Sequence, residues 1–128
     1  MASAGPDRRL LGQDAEDAAL ACLEVRGLQL LARNVRYPFG ELDLIVRDGA
    51  TVVFVEVRFR SSTRFGGAVM SVDAAKRRKL ARAAQAWLKS RRDLSNAACR
   101  FDVVAVAAVS GQLQCEWIPA AFTLDDLW

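Results

Sequence analysis

The sequence predicts a single mixed α/β domain, and three observations carry that prediction. The segments "GELDLIVR" and "TVVFVEVRF" are apolar on both faces, the mark of central strands covered on each side. Two amphipathic stretches of helical length, 7–26 and 73–91, can supply those covers. The order helix, strands, helix, strands then implies a sheet with helices packed in two layers or three. At 128 residues one domain is expected over 1–128, with 1–6 flexible and a core that needs neither disulfides nor metal.

Each element has its own signal. In the first helix Leu11, Ala15, Ala18, Ala19, Cys22 and Leu23 recur at helical spacing, and Gly27 is a stop. "LQLLARNVRY" suits a first strand ending near Pro38, and "DGA" is the turn between the two central strands. "RSSTRFGGAVMS" is polar and glycine-bearing, hence a loop. In the second helix Leu80, Ala84, Trp87 and Leu88 form the apolar stripe, and Ser71 or Asp73 can cap it. "FDVVAVAAV" reads as a further buried strand. "SGQ" turns it into "LQCEWI", Pro119 ends that strand, and "AAFTLDDLW" is expected to form a short terminal helix.

Composition removes several kinds of chemistry. The chain has no histidine, which excludes Ser-His and Cys-His catalysis, histidine bases and the usual zinc sites. Any bound metal would rest on carboxylate and carbonyl oxygens, a donor set for Mg²⁺ or Mn²⁺. Cys22, Cys99 and Cys115 are an odd number without metal-type spacing and are expected to be reduced, mostly buried thiols. No apolar run nears the roughly 18 residues needed to cross a membrane. "MASAGPDRRLLGQDAEDAA" has no signal-peptide core, so a cytoplasmic protein without membrane contact is expected.

Charge is uneven. Residues 73–92 hold eight bases (Lys76, Arg77, Arg78, Lys79, Arg82, Lys89, Arg91 and Arg92) against one acid, Asp73, while the whole chain is only +3. No acid inside that helix can pair with its bases at i,i+4. A face this basic either is solvated or meets an anionic partner, and phosphate is the natural one.

Three acids, Glu41, Asp43 and Glu56, interrupt the central strands. If the hairpin closes at Asp48 and Thr51, position i pairs with 99 − i. Asp43 then faces Glu56, and Glu41 faces Arg58. Opposed Cβ atoms lie about 5 Å apart, so two carboxylates there repel unless a cation sits between them. Either Glu41 pairs with Arg58 while Asp43 and Glu56 lie on a solvated rim, or the acids form a metal site in a buried run. A buried, unpaired carboxylate costs several kcal/mol.

The ordered set of motifs resembles the YraN family, a bacterial group with a restriction-endonuclease-like fold. "GQDAEDAALACLEVRGLQLLARN" is similar to its opening helix and Arg-Asn. "GELDLI" and "FVEVRFR" resemble its central hairpin, "FGGAVMSVDAAKRRKL" its loop and basic helix, and "RFDVVAV" and "AAF" its later strand and ending. The resemblance covers nearly the whole chain. It implies a three-layer domain with a mixed central β-sheet flanked by helices, the PD-(D/E)XK nuclease core and kinship with archaeal Holliday-junction resolvases. It also implies a homodimer, by analogy with those resolvases.

Carried over residue by residue, the resemblance makes Glu16 the helix acid, Asp43 and Glu56 the metal-binding acids, and Glu41 an extra acid before Asp43. With the Val57 carbonyl and Glu16, Asp43 and Glu56 would hold Mg²⁺ or Mn²⁺. Arg58 stands where the nuclease pattern has lysine. Arginine keeps its proton and cannot act as a general base, although it can hold a water or stabilise charge. Lys76, Lys79 and Arg82, with Arg78 and Arg60, are the phosphate contacts so implied, and residues 61–67 would close over the nucleic acid. The implied function is a metal-dependent, structure-selective nuclease acting on DNA. The alternatives are a non-catalytic module of the same fold that binds nucleic acid or protein, and a dimeric scaffold with a vestigial site.

Overall fold

The structure, a computed structural model, describes residues 8–60 and 72–122; for residues 8–12 and 60 it describes the backbone only. The expectations for 1–6, 61–67 and the last six residues, and the cap at Ser71, lie outside the described residues. Helix α1 spans Arg8–Val25, followed by strands β1 (Gln29–Tyr37), β2 (Gly40–Asp48) and β3 (Thr51–Arg60). Helix α2 spans Ala74–Ser90, a single 3₁₀ turn covers Arg92–Leu94, and β4 (Cys99–Val109) and β5 (Gln112–Phe122) complete the fold.

One five-stranded sheet runs in the order β1-β2-β3-β4-β5. Neighbours are antiparallel except β3 and β4, which are parallel and joined through α2. A parallel pair needs such a crossover, whereas the antiparallel pairs close by tight turns. The β2–β3 register runs from Leu44↔Val55 to Asp48↔Thr51, the 99 − i pairing expected from the sequence.

Alternation along the strands builds two cores. Val52, Phe54, Phe101, Val103 and Ala105 pack under Leu80, Ala83, Ala84 and Trp87 of α2. Val53, Val55, Val104 and Val106 pack under Ala15, Ala19 and Leu23 of α1. The domain therefore has three layers, with one helix on each face of a mixed sheet. Full burial of each Val, Leu or Phe contributes about 1.5–3 kcal/mol.

The helix ends follow from sequence. Gly27 at φ 90 lets the chain leave α1, with Leu28 N–H donating to Leu23 O (3.1 Å) and Gly27 N–H to Glu24 O (3.0 Å). This is a Schellman motif, and Leu23 and Leu28 make its apolar contact. At α2 the Asp73 carboxylate accepts from Lys76 N–H at 2.8 Å, which fulfils the expected cap.

Two expectations at the C-terminal end are corrected. Pro119 does not end the last strand, because β5 continues to Phe122. As an edge strand, β5 can spare the N–H that proline lacks. Residues 120–122 are consequently strand rather than helix. Their anchor is Asp102, which is fully buried on β4. It accepts from Trp117 Nε1 (2.9 Å), Ala120 N–H (2.9 Å) and the Arg100 guanidinium (3.0 and 3.2 Å). These bonds hold a bulge, with Ala120 at φ 50, that interrupts the β4–β5 register between Phe101 and Val103.

Candidate functional site

The two central strands part at the acids. Their ladder ends at Leu44↔Val55, one step before Asp43 and Glu56. Leu44 and Val46 pack under α1, whereas Leu42 joins Ile45 and Phe54 under α2. Strict alternation would send Leu42 to the α1 side, so β2 twists at Asp43. On β1, Asn34 takes φ 54 between the pairs Arg33↔Leu44 and Val35↔Leu42, opposite the same point. Asparagine tolerates that conformation better than most residues. The twist turns Asp43 inward along the strand gap, where its Oδ2 accepts the Val57 N–H at 2.9 Å.

Glu56 lies on the α2 face of β3, in phase with Val52 and Phe54, and is only 6% exposed. Lys76 Nζ from α2 and Arg58 Nε each stand 3.9 Å from its Oε1, too far for hydrogen bonds. Among the described residues Glu56 Oε2 and Arg58 Nε have no hydrogen-bond partner. Burial, and then the neighbouring Asp43 carboxylate, push the Glu56 carboxyl up to about 8, against the opposing pull of Lys76 and Arg58.

Glu16 approaches from the other helix. Its carboxyl is raised by burial and by the charge of Asp43, while Arg33 and Asn34 lower it. Arg33 is shared: it donates to Asp17 at 2.8 Å but stands 3.5 Å from Glu16 Oε1, which is left without a hydrogen bond among the described residues. Glu16, Asp43 and Glu56 thus form a chain of carboxyls running from one helix layer to the other, with Asp43 between. Among the described residues no three acids converge into a closed cage as they stand.

Glu41 does not face Arg58. With the ladder ended beyond Leu44, it turns outward and pairs with Arg36 at 3.6 Å. Lys79, Arg78 and Arg82 are exposed on α2, whereas Arg77 is drawn inward to Val72 O at 2.7 Å and the Phe122 ring. The Arg60 side chain lies outside the described residues.

Two features escaped the sequence reading. Lys76 is more than a surface base, since it reaches the buried acid; its position near the start of α2, three residues after the cap, was the available signal. The tip "YPFG" between β1 and β2 was read only as a strand end. Its two aromatics flanking a proline form parallel stacked rings, with Tyr37 and Phe39 centroids 5.4 Å apart.

Comparison with known proteins places the sequence in a family. The sequence pattern described as "Uncharacterised protein family UPF0102" matches residues 15–106. A UPF0102 protein of Pseudomonas fluorescens is 51% identical over 112 residues, covering 87% of this chain and 91% of the relative. One from Xanthomonas campestris is 50% identical over 119 residues, covering 93% and 96%. Another, from Shewanella amazonensis, is 50% identical over 111 residues, covering 87% and 97%.

Proposed function

Because the chain belongs to the uncharacterised protein family UPF0102, the YraN family, its activity must be read from its site, and we propose a divalent-metal-dependent, structure-selective nuclease of restriction-endonuclease-like fold acting on DNA. The observation that carries the reading is the pairing of buried Glu56 with half-buried Asp43 at the split of the central hairpin, with Lys76 of the basic helix 3.9 Å from Glu56. A three-layer domain with a mixed sheet is compatible with that fold.

The donor set suits Mg²⁺ or Mn²⁺. It consists of hard oxygens, two of them, in Glu16 and Glu56, buried without hydrogen bonds among the described residues. A cation there would offset the burial and repulsion that keep Glu56 protonated. Asp43, Glu56 and the Val57 carbonyl would hold it, with Glu16 beside Asp43. The chemistry such an ion supplies is charge compensation at the scissile phosphate and a lowered pKa for the attacking water. Asp43 is oriented for this by the Val57 N–H.

Arg58 contributes positive charge from the same strand as Glu56, and Lys76 adds a second positive charge brought to Glu56 from a different element. Lys76→Met should therefore lower Mn²⁺-supported cleavage about a hundredfold, the effect of removing one charged donor from the transition state, and Lys76→Arg should restore part of it. Arg58→Lys should stay within about tenfold of wild type. Equal rates for Lys76→Met and wild type would remove Lys76 from the chemistry.

The exposed bases of α2 are assigned to the phosphate backbone. Lys79→Gln should weaken duplex binding in EDTA and flatten the logarithmic salt slope by about 1. An unchanged slope would return Lys79 to a solvated face.

One observation favours a second reading, a nucleic-acid-binding module without cleavage: Arg58 occupies the lysine position of the nuclease pattern. Isothermal titration with Mn²⁺ tests the proposed site directly. Binding by wild type that disappears in Asp43→Ala supports it; identical heats for both proteins would rule out a metal site at Asp43.

A further inference from the structure

Beside the acid pair lies a groove of about 460 Å³, walled on one side by the β1–β2 tip and on the other by α2. Tyr37 and Phe39 line it with rings parallel to within 4°. The Arg82 guanidinium lies over the Phe39 ring at 4.8 Å, extending the stack. Lys76 and Lys79 stand along the same groove.

The tip is fastened in place. A Cβ on Gly40 would come within 2.7 Å of the Lys79 carbonyl oxygen, so only glycine lets the tip seat this closely on the helix. Pro38 restricts the backbone between the two rings. Both rings pack against the core under α2 on one side and remain half-exposed where they line the groove.

We propose that this groove binds an unpaired nucleic-acid strand, with a base stacked on the Tyr37–Phe39–Arg82 ladder and the flanking phosphates on Lys76 and Lys79. The inference deepens the proposed function, on which it rests, by naming the part of the substrate the protein recognises. Three arguments support this occupant. Base faces inside a duplex are already stacked, so an aromatic ladder serves only bases outside one, and arginine planes stack on bases as rings do. Three cations against one acid, Glu41, complement a phosphate backbone. And the groove leads to the acid pair: Lys76 lines it and reaches Glu56, and Glu41 lies two residues from Asp43 on β2. A strand held there would run toward Asp43 and Glu56 from its unpaired side, which suits flaps, overhangs and splayed junction arms.

Fluorescence anisotropy in EDTA tests this without relying on cleavage. The probes are a labelled oligothymidylate of about 12 nucleotides, the typical reach of such sites, an abasic oligomer of equal length, and a blunt duplex. Wild type should bind the oligothymidylate roughly tenfold tighter than the abasic strand, the effect of one stacked base. Tyr37→Leu and Phe39→Leu, which keep apolar packing, should abolish that difference while leaving abasic binding unchanged; Tyr37→Phe should preserve it. Equal wild-type affinity for thymidylate and abasic strands would overturn the inference even if neither leucine variant folds. A loss in both leucine variants shared by the abasic strand would also overturn it. If that equality came with salt-sensitive binding weakened by Lys79→Gln, phosphate contact would survive without the stacking site. Absence of binding to all three probes would remove both readings.

Discussion

Asp102→Ala should cost about 2–4 kcal/mol of folding stability, the sum of several lost hydrogen bonds and one of the largest structural effects of a single change in this chain. The carboxylate has no solvent access, and it accepts from Trp117, Ala120 and two nitrogens of Arg100, Nε and Nη2. Arg100 also reaches Asp48 at 3.0 Å, so the network ties β4 to the end of β2 as well as to β5. Removing the acceptor leaves the half-buried Arg100 guanidinium with Asp48 alone and takes the partner from a half-buried indole N–H and from the amide of a bulge residue. Chemical denaturation of wild type and Asp102→Ala measures the difference. A loss below about 1 kcal/mol would mean that water replaces the carboxylate and that the β5 bulge does not depend on it.

Glu56→Gln should have the opposite sign. In wild type the folded carboxyl titrates near 8, far above its ordinary value of 4.5, chiefly because it is buried and next because Asp43 is beside it. Below pH 4.5 the group is neutral in both states and contributes no difference. Between 4.5 and about 8 the unfolded chain gives up a proton that the folded chain keeps, so wild-type stability falls as pH rises through that window. Glutamine removes the titration. In EDTA the variant should match wild type at pH 4 and exceed it increasingly up to pH 8, by a few kcal/mol at about 1.4 kcal/mol per pH unit as an upper bound. A stability difference independent of pH, or a variant weaker than wild type at pH 8, would show that Lys76 and Arg58 already neutralise the acid. Mn²⁺ should reverse the order, stabilising wild type but not the variant.

Much of this was legible because the hairpin obeys simple rules. Two strands apolar on both faces and a two-residue turn fixed the register, and with it the juxtaposition of Asp43 and Glu56. The two helices could be placed by apolar spacing, and their packing on opposite faces follows from alternating residues on β3. Pairing arithmetic could not foresee the end of the ladder. It assumes alternation, and alternation fails where Asn34 takes a positive φ and β2 twists at Asp43. Glu41 therefore meets Arg36 instead of Arg58.

Sequence also assigned the strain to the acids as a pair. The geometry places it on Glu56, because Asp43 already accepts the Val57 amide. Long-range partners are the least legible layer. Nothing local to "FDVV" announces that its acid anchors a bulge 18 residues away, nor that Lys76 is the base that reaches the buried carboxylate. Pro119 misled for a related reason: its effect on a strand depends on whether that strand lies at an edge, which is a property of the whole sheet.

The central claim is that the acids split from the hairpin, with the basic helix beside them, hydrolyse phosphodiesters. Its most direct test is a cleavage panel of end-labelled duplexes, single strands, flaps and four-way junctions in Mg²⁺ and in Mn²⁺, run with wild type and with Asp43→Ala. The account predicts metal-dependent products from wild type on substrates that carry unpaired strands or branches, and their loss by at least about a hundredfold in Asp43→Ala. Wild-type binding to every substrate with no product from any, or equal cleavage by Asp43→Ala, would contradict it.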